Sequence, residues 1–499
     1  MRLAELVRAG GLPPWGDGKE GGPRIEGLTA DSRAVRPGFA FAALPGARAD
    51  GRAFIAEAVA RGAAAVLAPE GTAWPEGVPE RPLLAAADPR RALALMAAAL
   101  AGVQPELVVA VTGTNGKTST VDFLRQLWAL AGDRAASLGT LGLVAEGFPA
   151  GPSLTTPDPV ALHAQLAALA RAGVARVAME ASSHGIEQRR LDGVRLAAAG
   201  FTNLTRDHLD YHGTLAEYRA AKLRLFDALL PEGAPAAANA DMEAETLAAL
   251  RGIAARRGLR LLTVGEAGAS VRLLHQAPLP DGQALEVAAF GGARHALRLP
   301  LPGRFQADNA LLALALAVGC GMPEAQALAG LPRLRGVRGR MELAARLPNG
   351  AAVYVDYAHT PDALERLLAA LRPHASGRLS VVFGAGGDRD PGKRPLMGAA
   401  CARLADRCFV TDDNPRSESP AAIRAAILAA CPGAVEIGDR AAAIAAAMAE
   451  LRPGDVLAVA GKGHESGQMV AGVTHPFDDA GVVRQLAGVG AGEPAGAAA

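Results

Sequence analysis

Gly113-Thr114-Asn115-Gly116-Lys117-Thr118 decides the reading of this chain, because it follows the apolar run Leu107-Val108-Val109-Ala110-Val111 and precedes a helix-compatible segment. The pattern predicts a strand, a glycine turn and a helix start in succession. Such a turn aims backbone N–H groups, the positive end of a helix and one lysine at a polyphosphate, and Thr118 can offer a hydroxyl to Mg²⁺. Only two residues separate the glycines, fewer than in the common phosphate loop. An ordinary strand-to-helix turn with a chance Lys-Thr pair is the competing reading.

Outward from this loop, the chain is long enough, at 499 residues, for about two to four domains. Three are expected. Residues 1–105 alternate short apolar runs with Gly/Pro turns, as in Phe39-Ala40-Phe41-Ala42-Ala43-Leu44-Pro45-Gly46 and Ala63-Ala64-Ala65-Val66-Leu67, and read as a small α/β domain. Residues 106–336 alternate strand-like runs (Val108 to Val111, Val174 to Met179, Leu196 to Thr202) with alanine- and leucine-rich helices. That alternation predicts a mainly parallel sheet with a site at the carboxyl ends of its strands. After the Arg/Gly-rich break Leu334 to Arg340, residues 337–487 carry a third series of strands (Ala352 to Val355, Leu379 to Phe383, Cys408 to Thr411, Val456 to Ala460) and read as Rossmann-like. Residues 488–499 consist of Gly, Ala, Val, Pro and Glu and are expected to lack fixed structure.

With 51 basic against 50 acidic residues, no long-range field favours nucleic acid or an anionic membrane. The four cysteines have neither the number nor the spacing of a disulfide framework or zinc site, which fits a reducing cytosol. The N-terminus alternates charged and apolar residues and lacks a signal-peptide core. The longest apolar stretches, Ala92 to Val103 and Leu311 to Val318, fall short of the roughly 18 residues a membrane span needs, so core helices are expected.

Two polar clusters follow predicted strands of the middle domain. Val177-Ala178-Met179-Glu180-Ala181-Ser182-Ser183-His184-Gly185 places a carboxylate at a strand tip, followed by hydroxyls. The stretch from Phe201 to His212 (Thr202-Asn203-Leu204-Thr205-Arg206-Asp207-His208-Leu209-Asp210-Tyr211) adds acids and histidines. Beside a phosphate loop they offer the oxygen and imidazole donors of a Mg²⁺-nucleotide site. A structural zinc pair of His208 and His212, or a solvated acidic loop, are alternatives. Lys222, read locally, is a surface helix lysine.

Taken in order, GTNGKT, MEASSHG, RDHLDYHG, Arg340-Met341-Glu342, Asp356-Tyr357-Ala358-His359-Thr360-Pro361 and Gly461-Lys462-Gly463-His464-Glu465 resemble the motifs of the Mur ligases, from about residue 25 to residue 470. The early segment with Asp31-Ser32-Arg33, Pro37-Gly38-Phe39 and Ala49-Asp50-Gly51 is similar to the uridine-binding domain of the members that add the third amino acid. The resemblance implies an ATP-dependent amide ligase of peptidoglycan precursor synthesis, working in the cytoplasm on UDP-N-acetylmuramoyl-L-Ala-D-Glu through an acyl phosphate. It implies that residues Gly113 to Thr118 hold ATP, with Lys117 on the β/γ-phosphates. Thr118 and Glu180 would take one Mg²⁺, and His208 a second together with Lys222 as an N6-carboxylated (carbamylated) lysine. Arg340 is implied at the γ-phosphate, Asp356 and His359 near the ribose and phosphates, and Asn309 at the adenine. Gln306 stands where the family commonly has Asn or His. Domains two and three are expected to close over the reacting groups.

For the UDP-sugar dipeptide the resemblance implies Ser32 at the uridine, and Thr155, Thr156, Ser182, Gln188 and Arg190 at the sugar-peptide and its carboxylates. Thr411-Asp412-Asp413-Asn414-Pro415-Arg416 is the pattern of the members that add meso-diaminopimelate. That amino acid differs from lysine by a distal carboxylate, for which an arginine fork and an amide are a fitting receptor. Arg389, Asp413, Asn414, Arg416, Gly461 and Glu465 complete the implied pocket, Glu465 taking the distal ammonium. Lysine would leave Arg416 unpartnered at a cost on the order of 2–5 kcal/mol. Ser466-Gly467-Gln468 replaces a frequent aromatic residue and is expected to loosen packing there. A sibling ligase adding L-Lys, D-Ala-D-Ala or glutamyl units, or a non-catalytic binder of nucleotide and UDP-sugar peptide, are the rivals. No nucleic-acid or membrane partner is expected.

Overall fold

The computed structural model describes residues 1–14, 21–46, 49–149, 154–205, 207, 209–279 and 281–488. The segment 489–499, expected to lack structure, and His208 lie outside the described residues. The fold is α/β with mainly parallel sheets, in two compact units: Met1–Ser270 with Leu312–Ala327, and Val271–Leu311 with Leu328 onward.

In the first unit a four-stranded parallel sheet runs in chain order, Gly27–Thr29, Phe39–Ala42, Ala65–Pro69, Leu83–Ala86. Period-two alternation sends Ala40 and Ala42 into one core with Leu3, Leu6, Leu93 and Met96, and Phe41 into another with Ile55 and Val59. In the larger sheet, Leu107–Thr112 lies between Arg176–Glu180 and Leu196–Phe201, all parallel. From this strand the chain first goes to Ala135–Gly139, beyond Arg176–Glu180, and later crosses to Leu196–Phe201 and Pro235–Asn239 on the other side. A topological switch point therefore falls at the carboxyl end of Leu107–Thr112, immediately before Gly113. The helix Lys117–Leu130 buries Val121, Leu124, Leu127 and Trp128, a helical-period stripe that presses its first turn against the strand tips.

In the second unit, Ala352–Asp356, Val456–Ala460, Leu379–Phe383, Arg407–Val410 and Val435–Glu436 are parallel, with Glu342–Arg346 antiparallel at one edge. The helix Pro361–Leu371 covers this sheet with Leu364, Leu367, Leu368 and Leu371. Arg440 and Asp479, at the starts of two further helices, form a fully buried bidentate pair, 2.7 Å for each bond, and Arg440 Nη2 also donates to Ala460 O. Removing either partner of such a pair costs about 3–5 kcal/mol, so this contact fixes the last helix to the sheet.

Within the mainly parallel fold, residues 271 to 299 depart from the strand–helix alternation. Val271–Leu279, Gly282–Ala289 and Ala293–Leu299 form antiparallel hairpins. Charged residues interleave with apolar ones there (Arg272, Glu286, Arg294, Arg298), and Gly282, Gly291 and Gly292 supply positive φ at the turns. That period-two signal is distinct from the continuous apolar runs of the parallel strands.

Candidate active site

The phosphate loop is held from several directions. Gly113 has φ +143°, and a Cβ there would collide with the Thr202 hydroxyl, so only glycine lets the strand tips approach this closely. Thr114 N–H donates to Asn203 O (2.9 Å) and Asn115 N–H to Asn203 Oδ1 (3.0 Å), while Thr202 Oγ1 donates to Asn115 O (2.6 Å). Gly116 has φ +86° and opens the helix. Lys117 Nζ donates to Gly113 O (3.0 Å) and Thr114 O (2.9 Å), which keeps its ammonium over the loop.

Glu180, at the end of Arg176–Glu180, is almost completely buried. Its Oε1 accepts from Thr118 Oγ1 (3.0 Å) and Thr140 N–H (2.8 Å), and Oε2 accepts from Thr140 Oγ1 (3.3 Å). Thr155 Oγ1 lies 3.1 Å from Thr140 Oγ1. Thr156 Oγ1 donates to Glu180 O (3.0 Å) and accepts from Ser182 N–H (3.0 Å). Arg190 donates to Thr156 O (2.7 Å) and Gln188 Oε1 (2.8 Å), and Gln188 Nε2 to the Tyr211 hydroxyl (3.1 Å). The five residues expected at the sugar-peptide thus form one hydrogen-bonded cluster continuous with the Gly113–Thr118 loop.

Ser32 stands apart from it: its hydroxyl donates to Glu57 Oε2 (2.9 Å). Its neighbours Thr29 and Asp31, with Leu28, Leu44, Arg90 and Arg190, line a groove of about 550 Å³. Apolar walls and the guanidiniums of Arg90 and Arg190 suit a base linked to anionic groups, with Asp31 and Asp158 also lining the groove.

Lys222 departs most from its local reading. The helix Leu215–Arg224 carries it into the interior, 1% exposed, with Nζ 2.8 Å from Gly113 O and 4.5 Å above the Tyr218 ring. Burial and the neighbouring Lys117 cation push its ammonium well below the usual lysine range, with Asp207 acting the other way. Burial likewise pushes the Tyr218 phenol up to about 12, so its hydroxyl stays a partner for Thr114 Oγ1 at 3.2 Å.

These donors fit the implied groups. A buried amine beside a second cation is one whose neutral form is favoured, as attack on CO₂ requires. The Thr118 hydroxyl and the Glu180 carboxylate form a hard oxygen pair suited to Mg²⁺, which keeps several waters. Among the described residues no three His, Cys, Asp or Glu side chains gather into a metal cage. His212, the other half of the considered zinc pair, lies 2.9 Å from Ser183 Oγ and 3.4 Å from Glu187.

In the second unit, the Arg340 guanidinium packs 5.0 Å over the Tyr357 ring, which also neighbours His359 and His464. Asp356 accepts from Met341 N–H (2.7 Å) and Ala358 N–H (2.8 Å); burial raises its pKa, opposed by Arg340. Asn309 donates to Gln306 Oε1 (3.2 Å), both buried in the helix Arg304–Gly319.

The expected amino-acid residues meet at the tips of neighbouring strands. Asn414 Nδ2 donates to Glu465 Oε2 (3.0 Å), and Arg416 Nη1 donates to Gly387 O. The loop bearing the exposed Arg389 is tied to this segment by Asp388, which accepts from Ser417 Oγ. Gly461 has φ +124°, and a Cβ would stand 2.6 Å from Asp413 Oδ2. The segment after Glu465 is ordered. It forms a hairpin, Gly467–Val470 with Val473–Pro476, and Gln468 Nε2 donates to Asp413 O (2.7 Å).

Sequence reading passed over Thr140 and Arg90, and gave no role to Lys462 and Asp31 within the motifs that contain them. Thr140 had a usable signal, since Ser137-Leu138-Gly139-Thr140 ends a strand in a polar residue as Glu180 does. Three family models match in chain order: "Mur ligase family, catalytic domain" over 24–103, "Mur ligase middle domain" over 111–317 and "Mur ligase, glutamate ligase domain" over 339–463. The chain is 57% identical over 476 residues (94% of it, 97% of the relative) to a Caulobacter vibrioides protein named UDP-N-acetylmuramoyl-L-alanyl-D-glutamate--2,6-diaminopimelate ligase. It is 54% identical over 481 residues (96% and 97%) to a Mesorhizobium japonicum protein of the same name. A solved structure titled with that name aligns with TM-score 0.70 and 34% identity, covering 93% of this chain and 95% of that one.

The unfolded chain holds the Lys222 proton to higher pH than the folded chain does. Stability therefore rises with pH from the lowered folded pKa towards the ordinary lysine value of about 10.4. In CO₂-free buffer, the urea midpoint should climb relative to that of Lys222→Met as pH rises through that window. Parallel midpoints would contradict the buried, destabilised ammonium.

Proposed function

The chain belongs to the Mur ligase family, and from that premise we propose that it adds meso-diaminopimelate to UDP-N-acetylmuramoyl-L-Ala-D-Glu with cleavage of ATP, in peptidoglycan precursor synthesis. It is an ATP-dependent acid–amino-acid ligase. The observation that supports this choice of amino acid best is the Asn414–Glu465 pair at the carboxyl ends of the second unit's strands, an amide bonded to a carboxylate, with the Arg416 guanidinium two residues further on bonded to Gly387 O. A zwitterionic distal centre needs both an acceptor for its ammonium and donors for its carboxylate. A UDP-linked precursor places the reaction in the cytoplasm.

A carboxylate is a poor electrophile, because its leaving group would be oxide. In the proposed reaction an oxygen of the D-glutamate carboxylate attacks the γ-phosphorus and ADP departs, leaving an acyl phosphate. The diaminopimelate amine then adds to the carbonyl carbon. Collapse of the tetrahedral intermediate expels phosphate and leaves an amide, one proton being released. Both reactants of the first step are anions, so screening their repulsion is the main task.

We assign that task to Lys117 and the N–H groups of Gly113 to Thr118 at the phosphates, with Arg340 contributing a second cation. Thr118 and Glu180 would hold Mg²⁺, with His208 and Lys222 at a second ion; bound there, Mg²⁺ neutralises phosphate charge. Lys222 takes this role as a carbamate: its neutral Nζ bonds to the carbon of CO₂ and loses a proton, exchanging a buried amine for two carboxylate-like oxygens. Thr155, Thr156, Ser182, Gln188 and Arg190 would orient the sugar-peptide, Ser32 and the adjoining groove the uridine. Asn309, Asp356 and His359 are assigned to adenosine and its phosphates, and Arg389, Asp413 and Gly461 to the amino acid.

Phosphate release should require both the UDP-sugar dipeptide and meso-diaminopimelate, and mass analysis should find the product extended by that amino acid. L-Lysine should be poorer in kcat/KM by about 100-fold or more, the equivalent of a lost charge pairing. ATP turnover indifferent to both co-substrates would overturn the assignment. Lys222→Ala should be inactive and regain measurable turnover with acetate; complete failure of small carboxylates to restore it would count against the carbamate.

A further inference from the structure

Lys462 follows Gly461 at the end of the strand Val456–Ala460, and its side chain is fully buried. A buried ammonium has to find acceptors. Here Nζ donates to Asn414 Oδ1 at 2.9 Å and lies 3.4 Å from Glu465 Oε2 and 4.0 Å from Asp413 Oδ1. It therefore touches the amide and the carboxylate to which the proposed function gives the distal end of diaminopimelate.

The consequence concerns which way the amide faces. An asparagine side chain is nearly symmetric in shape, and its surroundings alone decide whether oxygen or nitrogen is presented to a ligand. Asn414 Oδ1 receives two donors, Lys462 Nζ and Met469 N–H, each at 2.9 Å. The nitrogen is thereby turned away from them. One of its N–H groups goes to Glu465 Oε2 at 3.0 Å, and the other finds no acceptor among the described residues. An amide turned this way donates to a carboxylate; turned the other way it would repel a carboxylate and welcome an ammonium.

We propose that Lys462 is a positioning residue for amino-acid specificity, which commits Asn414 to present N–H to the distal carboxylate of the incoming amino acid and holds Glu465 as the acceptor for its ammonium. The inference rests on the diaminopimelate reading. It adds that discrimination against L-lysine depends on a buried cation that touches neither substrate.

The test is steady-state kinetics of the full-length enzyme and Lys462→Met, a chain of similar length without donors. Either amino acid is varied at saturating ATP and UDP-sugar dipeptide. KM for meso-diaminopimelate should rise about thirtyfold, as for loss of a charge-assisted hydrogen-bond array, with kcat and the KM values of the other two substrates within about twofold. The preference for diaminopimelate over L-lysine should shrink by a similar factor, and Lys462→Arg should restore part of it. Unchanged discrimination, or a fall in kcat with every KM unchanged, would overturn the proposal. If Lys462→Met does not fold, Asn414→Asp decides: it keeps an oxygen for Lys462 but presents an acceptor to the ligand. Tight diaminopimelate binding by that variant would overturn the proposal, and selective loss would support it. A wild-type enzyme with no preference for diaminopimelate would instead sink the function reading on which the inference stands.

Discussion

The first unit's site depends on one buried carboxylate. Glu180 sits at a strand tip with almost no solvent, and an anion in that position persists only where donors compensate it. Thr118 and Thr140 supply three hydrogen bonds, and the backbone carbonyl of Glu180 takes a fourth from Thr156. Four chain segments are locked to one another by these contacts: the start of the phosphate-loop helix, the end of Ala135–Gly139, the Thr155-Thr156 segment and the turn at Ser182. Pre-fixed groups of this kind spare a reaction the entropy of gathering them.

Two buried lysines show how the same side chain is put to different uses. Lys222 meets a carbonyl, an aromatic face and a neighbouring cation, surroundings that favour the neutral amine. Lys462 meets an amide oxygen and two carboxylates, surroundings that hold a cation in place. The first environment disfavours the charged form; the second surrounds the amine with oxygen acceptors. Neither is visible in the residue type.

Local sequence was a sufficient guide where a strand, a turn and a helix start follow one another. The phosphate loop, the Glu180 tip and the parallel strands of both units follow from apolar runs, glycines and polar strand ends. It was insufficient where tertiary packing decides. Tyr218-Arg219-Ala220-Ala221-Lys222 reads as a solvated helix face, yet Tyr218 and Lys222 are buried because the helix lies under the Gly113 turn. The antiparallel hairpins after Val271 alternate charged and apolar residues, a period-two signal the strand–helix reading did not separate from the parallel strands. The Ser32 hydroxyl faces Glu57, a partner 25 positions away that no local pattern announces. The orientation of Asn414 depends on Lys462 and Met469, far along the chain.

The central claim, that the first unit's site activates a carboxylate by phosphoryl transfer, is tested most directly by following an oxygen atom. With ¹⁸O in the D-glutamate carboxylate of the UDP-sugar dipeptide, one labelled oxygen should leave in each inorganic phosphate formed during complete turnover, because the oxygen that attacks the γ-phosphorus departs with it. Phosphate released without label, with the displaced ¹⁸O found in water or all of the label still in unreacted dipeptide, would contradict the account.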